Sequence, residues 1–120
     1  MSNDTTIEQD IVAKGLTAPR ITPADIESNI VSTHYFTGFD GVAGAAGFAP
    51  EHGTLAAPEA LSLLMFCVLV MKNGFTVTGT SACASPENFN AEIGQKNARL
   101  NAIQKIWPLM GYALKEQLSK

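Results

Sequence analysis

Residues 63–81 read Leu-Leu-Met-Phe-Cys-Val-Leu-Val-Met-Lys-Asn-Gly-Phe-Thr-Val-Thr-Gly-Thr-Ser, and this stretch decides the fold. Two β-favouring runs, Leu63–Val70 and Gly74–Ser81, flank Asn73-Gly74, the pair that a two-residue type I′ turn requires because both central residues take φ > 0. In that register Lys72 pairs with Phe75, and Cys67 stands opposite Thr80. Side chains alternate across a strand. One face then carries Leu64, Phe66, Val68 and Val70 beside Phe75, Val77, Gly79, Ser81 and Cys83, and is expected to be the core. The other carries Met65, Cys67, Leu69 and Met71 beside Thr76, Thr78 and Thr80. A lone hairpin is marginal in water, so this second face is expected to be covered by another strand, by a loop or by a second subunit. Met65, Cys67, Leu69, Met71, Thr76 and Thr78 are therefore the candidate oligomer face of a homo-oligomer.

Downstream, Ser85-Pro86-Glu87 is expected to open a long helix. Phe89, Ile93, Leu100, Ile103, Trp107, Met110 and Leu114 recur at helical spacing as one stripe. Pro108 removes a backbone donor and is expected to kink the helix. Ala98 and Ala102, four residues apart, suit a close approach to the sheet. The fold class that follows is α+β: an antiparallel hairpin or small sheet packed against a long, Pro-kinked C-terminal helix, with a short N-terminal helix. Residues 1–18 read as a mobile tail and 19–120 as one domain, since 120 residues support a single core.

Upstream, Thr22-Pro23-Ala24-Asp25 is a helix start, with Thr22 as cap, Pro23 at the first helical position and Asp25 in the first turn. That helix is expected to reach Ser32 or His34, with Tyr35, Phe36 and Phe39 in an aromatic cluster behind it. Glycines 38, 41, 44, 47 and 53 then mark residues 38–58 as a long loop, and long loops usually serve a purpose. The run Gly41–Gly47 does not qualify as a phosphate loop: no strand precedes it and no Lys-Ser/Thr follows.

Composition narrows the function classes. Apolar residues make up 46% and charged residues 16%, as in a globular protein. The apolar run Leu61–Met71 is too short to span a bilayer, which excludes a membrane protein of that kind. Met1–Asp10 is polar and acidic, unlike a signal peptide. The net charge of −3 hides an asymmetry. The first sixty residues hold two basic against eight acidic side chains (−6), and the last sixty hold six against three (+3).

No cofactor is expected. Two histidines, His34 and His52, and two cysteines, Cys67 and Cys83, lack the paired spacing of a zinc site. The hairpin register separates Cys67 from Cys83, so no disulfide is expected. A Cys83–His34 or Cys83–His52 nucleophile pair lacks an orienting third residue. Lys96, Arg99 and Lys105 after a hairpin resemble, in outline only, a double-stranded-RNA-binding domain, which uses a much denser basic patch; nucleic acid is not an expected partner. The sharper candidate is an anion or nucleotide site at the Ser85 helix start, where free backbone N–H groups converge. It would draw on Ser81, Ser85, Lys96 and Arg99 for anionic groups, and on Tyr35 and Phe36 for a base.

Asn73–Gly79, Ser81–Phe89, Glu92–Gly94, Ala98, Ala102, Lys105–Leu109 and Gly111-Tyr112 resemble the Gp-forty-nine family of small tailed-phage and prophage proteins. Upstream, Pro19-Arg20, Thr22, Asp25–Glu27, His34–Thr37 and Asp40–Val42 match as well, so the resemblance covers about residues 19–118. It implies a phage origin and the cytoplasm of an infected bacterium. It implies no reaction, so no catalytic residue is carried over. The expected function is that of a phage accessory protein without catalysis, binding a host protein and modulating the host or its defence. The alternative is a small-molecule binder that sequesters a nucleotide immune signal.

Overall fold

A computed structural model describes residues 3–16, 18–47 and 58–120. In chain order the elements are α1 (Asn3–Ala13), α2 (Pro23–Asn29), β1 (Ile30–Thr37), α3 (Gly38–Ala46), β2 (Leu64–Met71), β3 (Thr76–Ala82) and α4 (Ala91–Leu118). Short 3-10 turns at Glu59–Leu63 and Pro86–Asn88 lead into β2 and α4. The three strands form one antiparallel sheet in the order β1-β2-β3, and α4 packs across it, giving the α+β architecture.

The hairpin is real, but its loop is one residue longer than Asn73-Gly74. Met71 and Phe75 close it, with the Met71 N–H donating to the Phe75 carbonyl and the Gly74 N–H to the Met71 carbonyl, both at 2.8 Å. Lys72, Asn73 and Gly74 form a three-residue loop with Gly74 at positive φ (87°), the arrangement of a turn followed by a bulge. The Asn73 side chain holds the loop by accepting from the Phe75 N–H at 2.9 Å.

That extra residue shifts the register by one: Cys67 pairs with Gly79 rather than Thr80, and Val70 with Thr76. A one-residue slip exchanges the two faces of one strand relative to the other. The buried face of β2 is therefore Met65, Cys67, Leu69 and Met71, aligned with Val77 and Gly79 under α4. The expected assignment of core and oligomer face is reversed for these four residues, which are the centre of the monomer's own core. Thr76 and Thr78 stay on the opposite, outer face with Phe66, Val68 and Val70.

Upstream boundaries change as well. The Thr22 cap is as expected: Oγ1 accepts from the Asp25 N–H at 3.1 Å and the Asp25 carboxylate accepts from the Thr22 N–H at 2.8 Å. The helix ends at Asn29, however, and Ile30–Thr37, expected in part as helix, is the third strand. β-branched and aromatic residues dominate that segment, and pairing with β2 outweighs its weak helical periodicity. A second capping box, Thr37 with Asp40, starts α3 within the expected loop. The remainder of that loop, residues 48–57 with His52, lies outside the described residues. The expected mobile tail contains α1, tied to the following segment by a Glu8–Arg20 ion pair.

Helix α4 begins at Ala91 and not at Ser85: Asn90 Oδ1 accepts from the Ile93 N–H at 3.0 Å, while Ser85 precedes the 3-10 turn. Pro108 lies inside α4 without ending it. The residues facing the sheet are Ala98, Ala102, Ile103 and Ile106; Ile93 and Leu100 of the expected stripe are largely exposed. Small residues win these positions because α4 nearly touches β3. A Cβ on Gly79 would lie 2.1 Å from the Ala98 carbonyl oxygen and 2.4 Å from the Ala102 nitrogen.

Gly79→Ala is therefore expected to lose about 3 kcal/mol or more in urea unfolding, since both obstructing atoms are backbone. Gly111→Ala is the control. It sits in α4 with nothing near a new Cβ, so it should be neutral or stabilising by up to about 1 kcal/mol.

Candidate functional site

Two surfaces concentrate the recognisable chemistry: the outer face of the sheet, and the seam where α1 and α2 meet α4. The outer face follows from the register. Leu64, Phe66, Val68 and Val70 run down its middle, flanked by Ser32, His34 and Phe36 on β1 and by Thr76, Thr78 and Thr80 on β3. Phe36 and Phe66 stack with centroids 5.3 Å apart and planes 15° from parallel. Gly41 of α3 lies against the Phe36 ring, so α3 covers that end. The Val68–Val70 end is half-buried, and among the described residues no helix lies across it. His34 Nε2 is 3.0 Å from Ser32 Oγ on this face.

The two edges of the sheet differ. On β3, the Thr80 N–H donates to Asn101 Oδ1 at 3.0 Å, and Lys105 Nζ donates to the Thr78 carbonyl at 2.7 Å. Side chains of α4 thus occupy groups that an incoming strand would need. β1 is the other edge and carries no charged residue.

At the seam, Arg99 on α4 forks to Glu27 on α2 through two hydrogen bonds of 2.9 Å. The fork holds the Glu27 carboxyl below its ordinary value, mainly through the hydrogen bond, against a smaller opposing effect of burial. Tyr35 and Cys67 lie beneath, on the helix side of the sheet. Burial pushes both the Tyr35 hydroxyl and the Cys67 thiol up, so Cys67 is kept as a protonated, inert thiol. A cleft of about 270 Å³ opens beside the fork, lined by Asp4, Pro23, Glu27, Arg99, Ile103 and Trp107 among others.

The six residues expected to form an anion or nucleotide site do not converge. Ser81 lines a separate cleft of about 150 Å³ with Asn88, Asn90 and Asn97 at the start of α4. The Ser85 carbonyl accepts from Cys83 Sγ at 3.1 Å and from the Asn88 N–H at 3.0 Å. Lys96 pairs with Glu92 on the exposed side of α4, and Arg99 is engaged by Glu27. Tyr35 and Phe36, adjacent in a strand, point to opposite faces of the sheet. Nor does Cys83 meet His34: it lies beyond β3, two strands and about 15 Å or more from the Val68 row. Both cysteines are free thiols.

Sequence reading missed the fork and both edge contacts, because each joins residues far apart in the chain. It also missed the Thr37–Asp40 box, for which the spacing Thr-x-x-Asp was available as a signal. No helix among the described residues is long and apolar enough to cross a membrane.

An open three-stranded sheet backed by one long helix, with an apolar outer face, defines a small two-layer α+β domain. The chain belongs to the phage protein family described as N4 Gp49/phage Sf6 gene 66, matched over residues 21–118. No curated protein and no solved structure matches it.

Arg99→Met, which keeps the stem and removes the fork, is expected to cost about 0.5 kcal/mol at pH 7, since Glu27 is more than half exposed. Because the folded-state value of Glu27 is depressed, the pair contributes fully above the ordinary carboxyl value of 4.5 and fades as pH falls through the folded value. Urea midpoints of wild type and variant should therefore differ at pH 7 and draw together as the pH falls below 4.5.

Proposed function

We propose that the protein is a phage accessory factor that acts by binding another protein, without catalysis, through the outer face of its sheet. The observation that carries this reading is strand β2, apolar on both sides. Its inner side is filled by α4, while its outer side, around Val68 and Val70, has no covering helix among the described residues. A row of aliphatic side chains edged by threonine hydroxyls suits a protein surface, with an apolar centre and a polar rim. Membership of a phage family makes a protein of the infected bacterium, or one of its defences, the partner to test first. The same face can also meet a second copy of the chain, in an isologous pairing.

Val68→Lys tests this reading, with Cys67→Lys as its contrast. Val68 is half-buried on the outer face and Cys67 is fully buried on the inner one. Val68→Lys should fold as wild type, with stability changed by less than about 1 kcal/mol, and should lose at least tenfold in affinity for a prey that wild type retains from bacterial lysate. It should also scatter light as a monomer at two concentrations where wild type shows a larger mass. Cys67→Lys should fail to fold. Equal retention of the prey by wild type and Val68→Lys, with equal masses, would remove the outer face from the proposal.

A further inference from the structure

Helix α1 sits on the rest of the molecule in an unusual way. Two carboxylates one helical turn apart, Asp4 and Glu8, make polar contacts with the rest of the molecule. Asp4 Oδ2 accepts from Trp107 Nε1 at 3.0 Å and from Gln104 Nε2 at 3.4 Å. The Glu8 carboxylate takes the two-pronged fork of Arg20. Apolar sealing, in contrast, is thin. Ile7 is 55% exposed and Val12 57% exposed, and clefts of about 270 and 250 Å³ flank the helix, each lined by Asp4, Pro23 and Trp107.

Beneath α1 lies a groove between α2 and α4 whose floor is Ile21, Pro23, Ile26, Leu100, Ile103 and Trp107. The donors that meet α1 across it are Arg20, Gln104 and the indole N–H, and Glu27, held by Arg99, lines the same groove. The floor falls within residues 21–118, the part shared with the family, whereas α1 lies outside that part. The shared portion thus has an apolar groove with the donors of Gln104 and Trp107 at its rim; this chain adds Arg20, which lies just outside that portion, and fills the groove with an acidic helix of its own. Charge matches at Glu8, which meets Arg20, and the segment through Asp10 contributes Asp4, Glu8 and Asp10 and no cationic side chain; Asp25 stands near the same pair.

We propose that the α2–α4 groove is a docking site for an acidic amphipathic helix of a protein partner, and that α1 is its tethered occupant. One carboxylate of the docked helix meets Trp107 and Gln104, and a second, one turn later, meets Arg20, with apolar residues between them on the groove floor. The tether is short, so α1 competes at an effective concentration on the order of millimolar. An external helix enters only by matching the same donors and burying more apolar surface than Ile7 and Ile11 do.

Trp107 is the only tryptophan and reports directly on the groove. In the full chain, D4N/E8Q should release α1, shifting Trp107 emission to longer wavelength while far-UV circular dichroism and the urea midpoint of the core stay near wild type. A synthetic peptide of residues 1–16 with the wild-type sequence should then bind D4N/E8Q saturably and reverse the shift. It should bind the wild-type chain at least tenfold more weakly, and the peptide carrying D4N/E8Q should bind neither. Adding Arg20→Glu to the D4N/E8Q chain should abolish binding of the wild-type peptide and restore it for a peptide carrying Glu8→Lys. An unshifted emission in D4N/E8Q, no saturable response to the wild-type peptide, or equal binding of both peptides to D4N/E8Q would overturn the proposal.

Discussion

Backbone meets backbone where α4 crosses β3, and the rest of the structure depends on that contact. Gly79 leaves room for the Ala98 carbonyl and the Ala102 nitrogen at distances no side chain would permit. At this separation α4 can present only Ala98 and Ala102 to the strand, and larger residues move to the flanks: Ile103 and Ile106 to the core, Trp107 to the seam with α1. Close approach also lets the short side chain of Asn101 and the stem of Lys105 reach the β3 backbone. One constraint thus sets the helix face, the core composition and the protection of one sheet edge.

The same contact makes the domain two layers thick and no more. Among the described residues, the largest fully buried side chains lie at or beside the sheet–helix interface: Ile26, Cys67, Leu69 and Ile106. The outer face then inherits apolar residues with little to cover them, because β2 is apolar on every position. In a strand facing water on one side, alternation of apolar and polar residues is the ordinary pattern. β2 departs from it and β3 obeys it, which localises the unusual surface to the middle of the sheet.

Charge is arranged to join elements rather than to gather a ligand. The acidic first half and basic second half meet as Glu27 with Arg99, while Arg20 turns back to Glu8 within the first half. Lys105 is spent on a strand carbonyl and Lys96 on Glu92. The cations that might have made an anion pocket therefore each have a local partner, and the six residues grouped from sequence are spread over the outer sheet face, the seam, the start of α4 and its exposed side.

Sequence alone determined the element types wherever the signal was local. The Asn73-Gly74 turn, the Thr22–Asp25 cap, the long C-terminal helical period and the Ala98–Ala102 pair are all legible within a few residues, because capping, turn chemistry and periodicity are short-range effects. The α+β class follows from them. Tertiary structure decided which face is inside. A single residue more in the Lys72–Gly74 loop exchanged the faces of β2, and turn propensity cannot distinguish a two-residue loop from a three-residue loop containing the same Asn-Gly. It also made Ile30–Thr37 a strand, through pairing with β2, and joined Asp4 to Trp107 and Glu27 to Arg99 across most of the chain. These are long-range contacts whose energy exists only once the sheet and α4 have come together, so no local pattern encodes them.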